Sequence, residues 1–290
     1  MEQQDVIELP KKEVLSSIRQ GLHFDVDIDV YHGGPGISKS GLDSINANPA
    51  IYYARHLDPS RPPPKSRAGQ LEGSLAHCAI LEPAEFSKRY AVGPDVSRAT
   101  KAWKDFEADH PGVECIKPDQ YEAAQRQADS VRKLPDVAEA LRHGMAEVSA
   151  YWIDPVTGEL CRCRPDWVYQ PNESGVILLD VKTYSDASPD EFRRQVARKR
   201  YHAQDAFYSD GYSIASGKTV HGFIFLAVET EWPYAANALM LDEAGKEQGR
   251  RDYRRNLDTY AECRKTNIWP GYSNEIQIIQ LPNWAIKDES

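Results

Sequence analysis

Asp180 and Lys182 stand two residues apart at the end of the run Val176-Ile177-Leu178-Leu179-Asp180-Val181-Lys182. On a strand that spacing sends both side chains to one face. The four apolar residues before them read as a central strand, not a solvated edge. An aspartate and a lysine at the end of a buried strand need partners or a task. Upstream, beyond the turn-forming Pro171-Asn172-Glu173-Ser174-Gly175, lies Arg164-Pro165-Asp166. A hairpin there sets Asp166 on the neighbouring antiparallel strand, within reach of the same point. Two carboxylates and one ammonium then converge at one end of a sheet. Carboxylate oxygens are hard ligands that suit Mg²⁺, which keeps several waters and leaves room for a substrate phosphate. Lys182 would orient or help deprotonate an attacking water, or offset charge on a pentavalent phosphate. An Asp-x-Lys pair alone also occurs on solvated strands. The upstream Pro-Asp and the topology make the pattern specific.

Elements to position these groups are legible along the chain. The alternation of residues 23–30 predicts a strand after a short helical segment. Ser38 or Ser40 caps a helix that ends near Asn48-Pro49. A short helix at residues 50–57 precedes a proline-rich loop at 58–67. Residues 69–81 read as a buried helix, and 118–143 as two helices broken at Leu134-Pro135, with Gly144 as a stop. Residues 147–154, 160–169 and 176–182 read as a three-strand meander. Ser188 and Glu191 form a capping box, with Pro189 at the first helical position, for a helix over 189–213. Strands follow at 220–228 and 235–241, then a charged helix at 242–265 and a last strand at 276–281. The whole predicts an α/β fold with a mixed central sheet flanked by helices. It forms one domain over 1–290, mainly helical over 1–145, with the catalytic sheet and a C-terminal helix over 146–290. The step from Lys182 to Val220 has the length of a right-handed crossover.

Other residues have chemistry of their own. His77 sits on the buried helix, where a neutral imidazole is either a metal ligand or an ordinary core histidine. Gln204 and Tyr208, four apart, share a helix face, with Arg200 and Tyr201 one turn earlier on that side. They suit a phosphate backbone, or form an amphipathic helix and no more. Arg193, Arg194, Arg198, Lys199 and Arg200 make the densest basic run, a DNA-tracking surface or a solvated face. Ser38, Lys39 and Ser40 at a helix N-terminus would bind a phosphate or simply cap it. Glu147, beginning the first sheet strand, is a secondary candidate.

Pro165-Asp166 with Asp180-Val181-Lys182 resembles the motif of the PD-(D/E)xK nuclease superfamily. His77 within Gly73-Ser74-Leu75-Ala76-His77, and Gln204 with Tyr208, are similar to two further elements of the subgroup containing the RecB nuclease domain and the RecE exonuclease. Ile37-Ser38-Lys39-Ser40-Gly41-Leu42 and Asn48-Pro49-Ala50 are similar to the start of the RecE group. The resemblance spans roughly residues 37–272. It implies a restriction-endonuclease-like core and a metal-dependent exodeoxyribonuclease that digests duplex DNA ends 5′→3′ to leave 3′ single strands. Asp166, Asp180 and His77 would hold Mg²⁺, with Mn²⁺ as the substitute and the Val181 carbonyl as a further candidate ligand. Lys182 would serve the water, and Gln204 and Tyr208 would complete the catalytic motif beside the DNA. A RecT-like single-strand annealing protein is the implied partner. The implied assembly is a homo-oligomeric ring, a tetramer rather than a trimer, encoded by a phage or prophage and acting in the bacterial cytoplasm. A structure-specific endonuclease or repair nuclease on the same fold, and a non-catalytic DNA-binding module with a degraded nuclease core, are the rival readings.

Composition narrows the field. The 290 residues are 41% hydrophobic, enough for a sizeable core. The mean hydropathy of −0.61 and the absence of a long apolar run argue against a membrane span. The first residues lack a signal peptide's apolar stretch. A net charge of −9 disfavours a sequence-reading DNA binder but not a nuclease whose carboxylates hold metal. Five cysteines without a tight pattern fit a reducing compartment. Cys161-x-Cys163 has only Cys263 downstream, so neither an iron–sulfur cluster nor structural zinc is expected. No Walker phosphate loop is present, so no ATP is expected.

Overall fold

Short polar caps, more than long apolar stripes, shape the first half of the chain. The computed structural model describes residues 19–63 and 69–282. β1 (Gly21–His23) leads into α1 (Ile28–Gly33). The Asp27 carboxylate accepts from the Asp29 and Val30 amides and starts a helix where alternation predicts continued strand. The helical segment expected before residue 19, and residues 64–67 of the expected proline-rich loop, lie outside the described residues. α2 (Lys39–Ala47) is capped by the Ser38 hydroxyl, which accepts from the Gly41 amide. Asn48 caps α3 (Pro49–Tyr52), which runs into a π-turn at Tyr53–Leu57. α4 (Gln70–Leu81), α5 (Phe86–Arg89), β2 (Tyr90–Val92), α6 (Lys101–Asp109) and β3 (Glu114–Ile116) follow, with β2 and β3 paired in parallel. α7 (Pro118–Arg132) and α8 (Pro135–Arg142) divide at Pro135, as expected. Gly144 opens β4 (Gly144–Ala146).

The expected meander is split between two sheets. β5 (Ser149–Ile153) and β6 (Leu160–Cys163) join β1, while β7 (Trp167–Tyr169) and β8 (Gly175–Tyr184) belong to a five-stranded sheet. Residues 160–169 are therefore two strands. Pro165, with no N–H to give a ladder, stands at the break. Beyond β8 come α9 (Pro189–Lys199) and α10 (Tyr201–Ser216). The single helix expected over 189–213 is broken at Arg200, which adopts a left-handed conformation at φ 56°. Ser188 caps α9 by accepting from the Glu191 amide, but the Glu191 carboxylate turns to Arg194 and Gln195. β9 (Thr219–Glu229) returns parallel to β8, β10 (Ala236–Leu239) pairs antiparallel with β9, and α11 (Glu243–Thr266) closes the fold. The five-stranded order is β10-β9-β8-β7-β4. Residues 276–281 form no strand: Ile276, Ile278, Ile279 and Leu281 are all exposed. Among the described residues no helix is long and apolar enough to cross a membrane.

Alternate residues of β8 feed two cores. Leu178 packs with Phe192, Phe207, Phe223 and Phe225 on the α10 side. Leu179 and Val181 pack with Leu75, Ala79 and Val131 on the side of α4 and α7. Period-two alternation thus places both flanking helix layers from one strand. The cysteines are all free and buried, Cys161 and Cys163 within the α10-side core.

The α10–α11 seam depends on one missing side chain. A methyl group on Gly249 would meet the His202 carbonyl oxygen at 1.9 Å, which only backbone movement relieves. Gly249→Ala should therefore lower unfolding stability by roughly 1–3 kcal/mol in denaturant titration through overpacking. An unchanged midpoint would show that the helices separate freely.

Candidate active site

Asp166 reaches the centre because it directly precedes β7, the antiparallel neighbour of β8. Trp167 pairs with Leu179 in the antiparallel register, so Asp166 comes next to Asp180. One carboxylate oxygen of Asp166 accepts from the Val181 amide at 2.7 Å. Asp180 is buried at 2% exposure, and its Oδ2 accepts from the Gln204 amide at 2.6 Å. Its Oδ1 forms an ion pair with the Lys182 ammonium without a well-angled hydrogen bond. Burial works against the Lys182 charge, but Asp180 and Asp166 outweigh it and raise its pKa. Burial, then the charge of Asp180, pushes the Asp166 carboxyl up to about 8.

His77 approaches from α4. Its Nε2 lies 3.1 Å from the Val181 carbonyl. A carbonyl only accepts, so Nε2 carries the proton and Nδ1 holds the lone pair. Burial, then Lys182, lowers the His77 pKa and keeps the ring neutral. Nδ1 faces Asp166 Oδ2 at 3.6 Å. Two acceptors facing one another across that gap are relieved by a proton or a cation.

Glu147 lies between β4 and β5 in a left-handed conformation at φ 56°, not inside a strand. Its amide donates to the Asp166 carbonyl at 3.0 Å, and its carboxylate takes the Arg164 guanidinium at 2.5 Å. Arg164 also donates to the Val26 carbonyl. Burial, then Asp166, pushes Glu147 up to about 7. Glu147, Arg164 and His77 line a cleft of about 750 Å³ with Gln70, Gly73 and Ser74.

The donor set fits a divalent cation. Hard carboxylate oxygens, a histidine lone pair and a repulsion between buried acids all meet here. Among the described residues, however, no three His, Cys, Asp or Glu side chains already stand in coordinating geometry. Asp180 is turned to Gln204 and Lys182, and the two expected ligands His77 and the Val181 carbonyl bond each other.

Other expected residues divide by burial. Gln204 is 6% exposed and spends its amide on Asp180, so it does not offer an open DNA-facing group. Tyr208 is half-buried against Phe223 and Phe207, and burial raises its hydroxyl well above the usual range. Arg193, Arg194 and Arg198 are exposed on α9. Arg200 departs from that surface: its guanidinium binds Asp43, Asn46 and Asp252. Lys39 is tied to Asp43 at 2.7 Å and to the Lys199 carbonyl at 2.8 Å, while Ser38 and Ser40 bond each other beside the cap. Sequence reasoning missed the Glu147–Arg164 pair and the contact of Gln204 with Asp180. Arg164 directly precedes Pro165-Asp166, which was a usable signal.

A Pro-Asp turn and an Asp-x-Lys strand end, meeting in a mixed sheet flanked by helices, define the PD-(D/E)xK class. The chain belongs to the family described as a PDDEXK-like domain of unknown function (DUF3799), whose model matches residues 38–282. A "putative exonuclease" from Eubacterium rectale is similar in fold, with a TM-score of 0.59 at 10% identity over 90% of this chain and 96% of that one. An alkaline exonuclease from Laribacter hongkongensis matches at a TM-score of 0.27 and 13% identity, over 69% of this chain and 94% of that one. No curated protein sequence matches.

The raised Asp166 pKa makes a testable claim about the metal-free protein. It lies at about 8, above the unfolded carboxyl's ~3.9. Protonated Asp166 therefore stabilises the metal-free fold at low pH, and that contribution is lost as pH rises through about 8. Asp166→Asn keeps an acceptor for Val181 and removes the charge. In EDTA its thermal stability relative to wild type should grow between about pH 4 and about pH 8. A difference that stays constant across that window would contradict the assignment.

Proposed function

We propose that this chain is a divalent-metal-dependent DNA exonuclease. The observation that carries the reading is the meeting of Asp166, Asp180 and Lys182 on β8 and beside it, in a fold of the PDDEXK-like family. Asp166 and Asp180 would hold the cation, with His77 Nδ1 beside them and the Val181 carbonyl within the same group. Bound there, Mg²⁺ or Mn²⁺ would polarise the scissile phosphodiester and acidify a water. Lys182 is charged and aimed at the two acids, placed to orient the water and to offset charge on the phosphate. Gln204 holds one oxygen of the Asp180 carboxylate and Lys182 pairs with the other, so the group keeps one direction. The exposed arginines Arg193, Arg194 and Arg198 suit the strand's backbone, with Ser38, Lys39 and Ser40 a second candidate phosphate contact.

The similarity to RecE-type enzymes supports the finer reading: duplex ends digested 5′→3′, 3′ strands passed to a RecT-like annealing protein, and a cyclic tetramer in preference to a trimer. A chain of net charge −9 gains most from a ring that turns basic faces inward. A phage or prophage origin and action in the bacterial cytoplasm belong to the same reading.

Duplex DNA labelled at one 5′ end, beside a closed circle, separates the alternatives. The expected result with Mg²⁺ is early release of labelled nucleotide and an intact circle. Cutting of the circle would establish an endonuclease. No hydrolysis of either would favour a non-catalytic module. Asp180→Asn, which preserves an acceptor for Gln204, should abolish hydrolysis while the protein stays folded. Lys182→Ala should slow single-turnover cleavage by about 10²–10⁴-fold with DNA affinity retained. Near-normal cleavage by either variant would remove that residue from the site.

A further inference from the structure

Lys182 has a second partner besides Asp180. Its ammonium lies 4.8 Å from the centroid of the Tyr201 ring. Tyr201 is the first residue of α10, immediately after the left-handed Arg200. Its ring stacks on Phe225 at 5.6 Å and 28° and on Phe192 at 6.0 Å and 26°. Phe225 is the register partner of Asp180 on β9, so the catalytic strand's own neighbour fixes the ring. The Tyr201 hydroxyl is bonded to the Tyr184 hydroxyl, two residues beyond Lys182 on β8. The hydroxyl is thus tied to β8, and the stacking on β9 and α9 fixes the ring's orientation. Lys39 also lies near the ring, at 5.7 Å, but its ammonium is held by Asp43 and the Lys199 carbonyl.

We infer that Tyr201 is the positioning residue for Lys182, its ring face setting the direction of the ammonium during turnover. The inference rests on the nuclease reading given above. Asp180 cannot by itself fix Lys182, because that reading asks the same carboxylate to hold a cation. Once its charge is shared, its pull on Lys182 weakens. The electron-rich face of a ring attracts an ammonium without taking its protons. Lys182 keeps its donors for the water and the phosphate, and its long stem loses its freedom. A carboxylate in the same place would compete for those donors. The role needs the ring, not the hydroxyl.

Two substitutions separate ring from hydroxyl. Tyr201→Phe keeps the face and Tyr201→Leu removes it. Single-turnover cleavage at saturating DNA should fall on the order of 10²-fold in Tyr201→Leu. Tyr201→Phe should retain most of the rate. DNA affinity measured with Ca²⁺, and Ca²⁺ affinity by calorimetry, should be unchanged in both. A direct signature comes from protein labelled with ¹³C at lysine Cε, without metal or DNA. The resonance lost in Lys182→Ala identifies Lys182. It should be shifted upfield by the ring current in wild type and Tyr201→Phe, and move back in Tyr201→Leu. An unshifted Lys182 resonance in wild type would overturn the inference, as would wild-type cleavage by Tyr201→Leu. Loss of Ca²⁺ or DNA affinity together with rate in Tyr201→Leu would show a merely structural residue and overturn it too. Wild-type protein that cleaves no DNA would instead defeat the nuclease reading, while the resonance still reports whether the ring holds the lysine.

Discussion

Two carboxylates buried side by side repel each other, and the centre of this molecule is organised around that repulsion. Asp166, just before β7, stands across from Asp180 on β8, a strand whose apolar residues are packed on both faces. One ammonium stands against them, and burial with the charge of Asp180 holds Asp166 near neutrality at physiological pH. Each nearby element gives a polar group to this point: β8 the Val181 amide, α4 His77, and α10 Gln204. A buried acid left without such donors would cost several kcal/mol, on the order of the penalty for an uncompensated charge. The fold around β8 is therefore the set of supports that lets the two acids stay together.

The break at Arg200 is one of those supports. A non-glycine residue in the left-handed region costs about 1–3 kcal/mol and persists only when its surroundings fix it. Here Asp43 and Asn46 of α2 and Asp252 of α11 take the Arg200 guanidinium. The interruption starts a new helix at Tyr201. Gln204 then faces Asp180 and Tyr201 faces Lys182. A residue that by sequence belongs to a basic surface acts as a pin joining three helices.

Residues 176–182, 220–228 and 242–265 were legible because period and caps agreed with the tertiary outcome there. Asp166, Asp180 and Lys182 were legible because a proline-aspartate turn and an apolar strand end leave few placements. The misses have local causes. Asp27 capped a helix within an alternating run, and Pro165 divided what read as one strand between two sheets. Arg200 broke a helix that propensity alone would continue, because its partners come from residues distant in sequence. The final apolar alternation at 276–281 found no neighbouring strand, and period cannot supply one. Gln204 was singled out by its spacing, but its contact with Asp180 depends on the angle at which α10 crosses β8, which one sequence does not encode in any local pattern.

Burial also sorts the arginines by what a phosphate could ask of them. Arg164 and Arg200 keep only 11% and 17% side-chain exposure, and both are locked to carboxylates that carry the fold. Pulling Arg164 away would strip half-buried Glu147 of its guanidinium, and pulling Arg200 away would undo its ties to α2 and α11, so neither is free to turn to a phosphate. Arg193 and Arg194 are 73% and 67% exposed, and their partners, Asp190 and Glu191, lie one turn earlier on the same helix. Exposed pairs of that kind are worth little in water, so a phosphate can take the carboxylate's place at small cost. Under the proposed function the outer face of α9 is thus the exchangeable surface, while the arginines nearest the centre are its frame. An acidic chain does not need net positive charge to hold DNA beside its centre; it needs a few cations whose present partners are easily replaced.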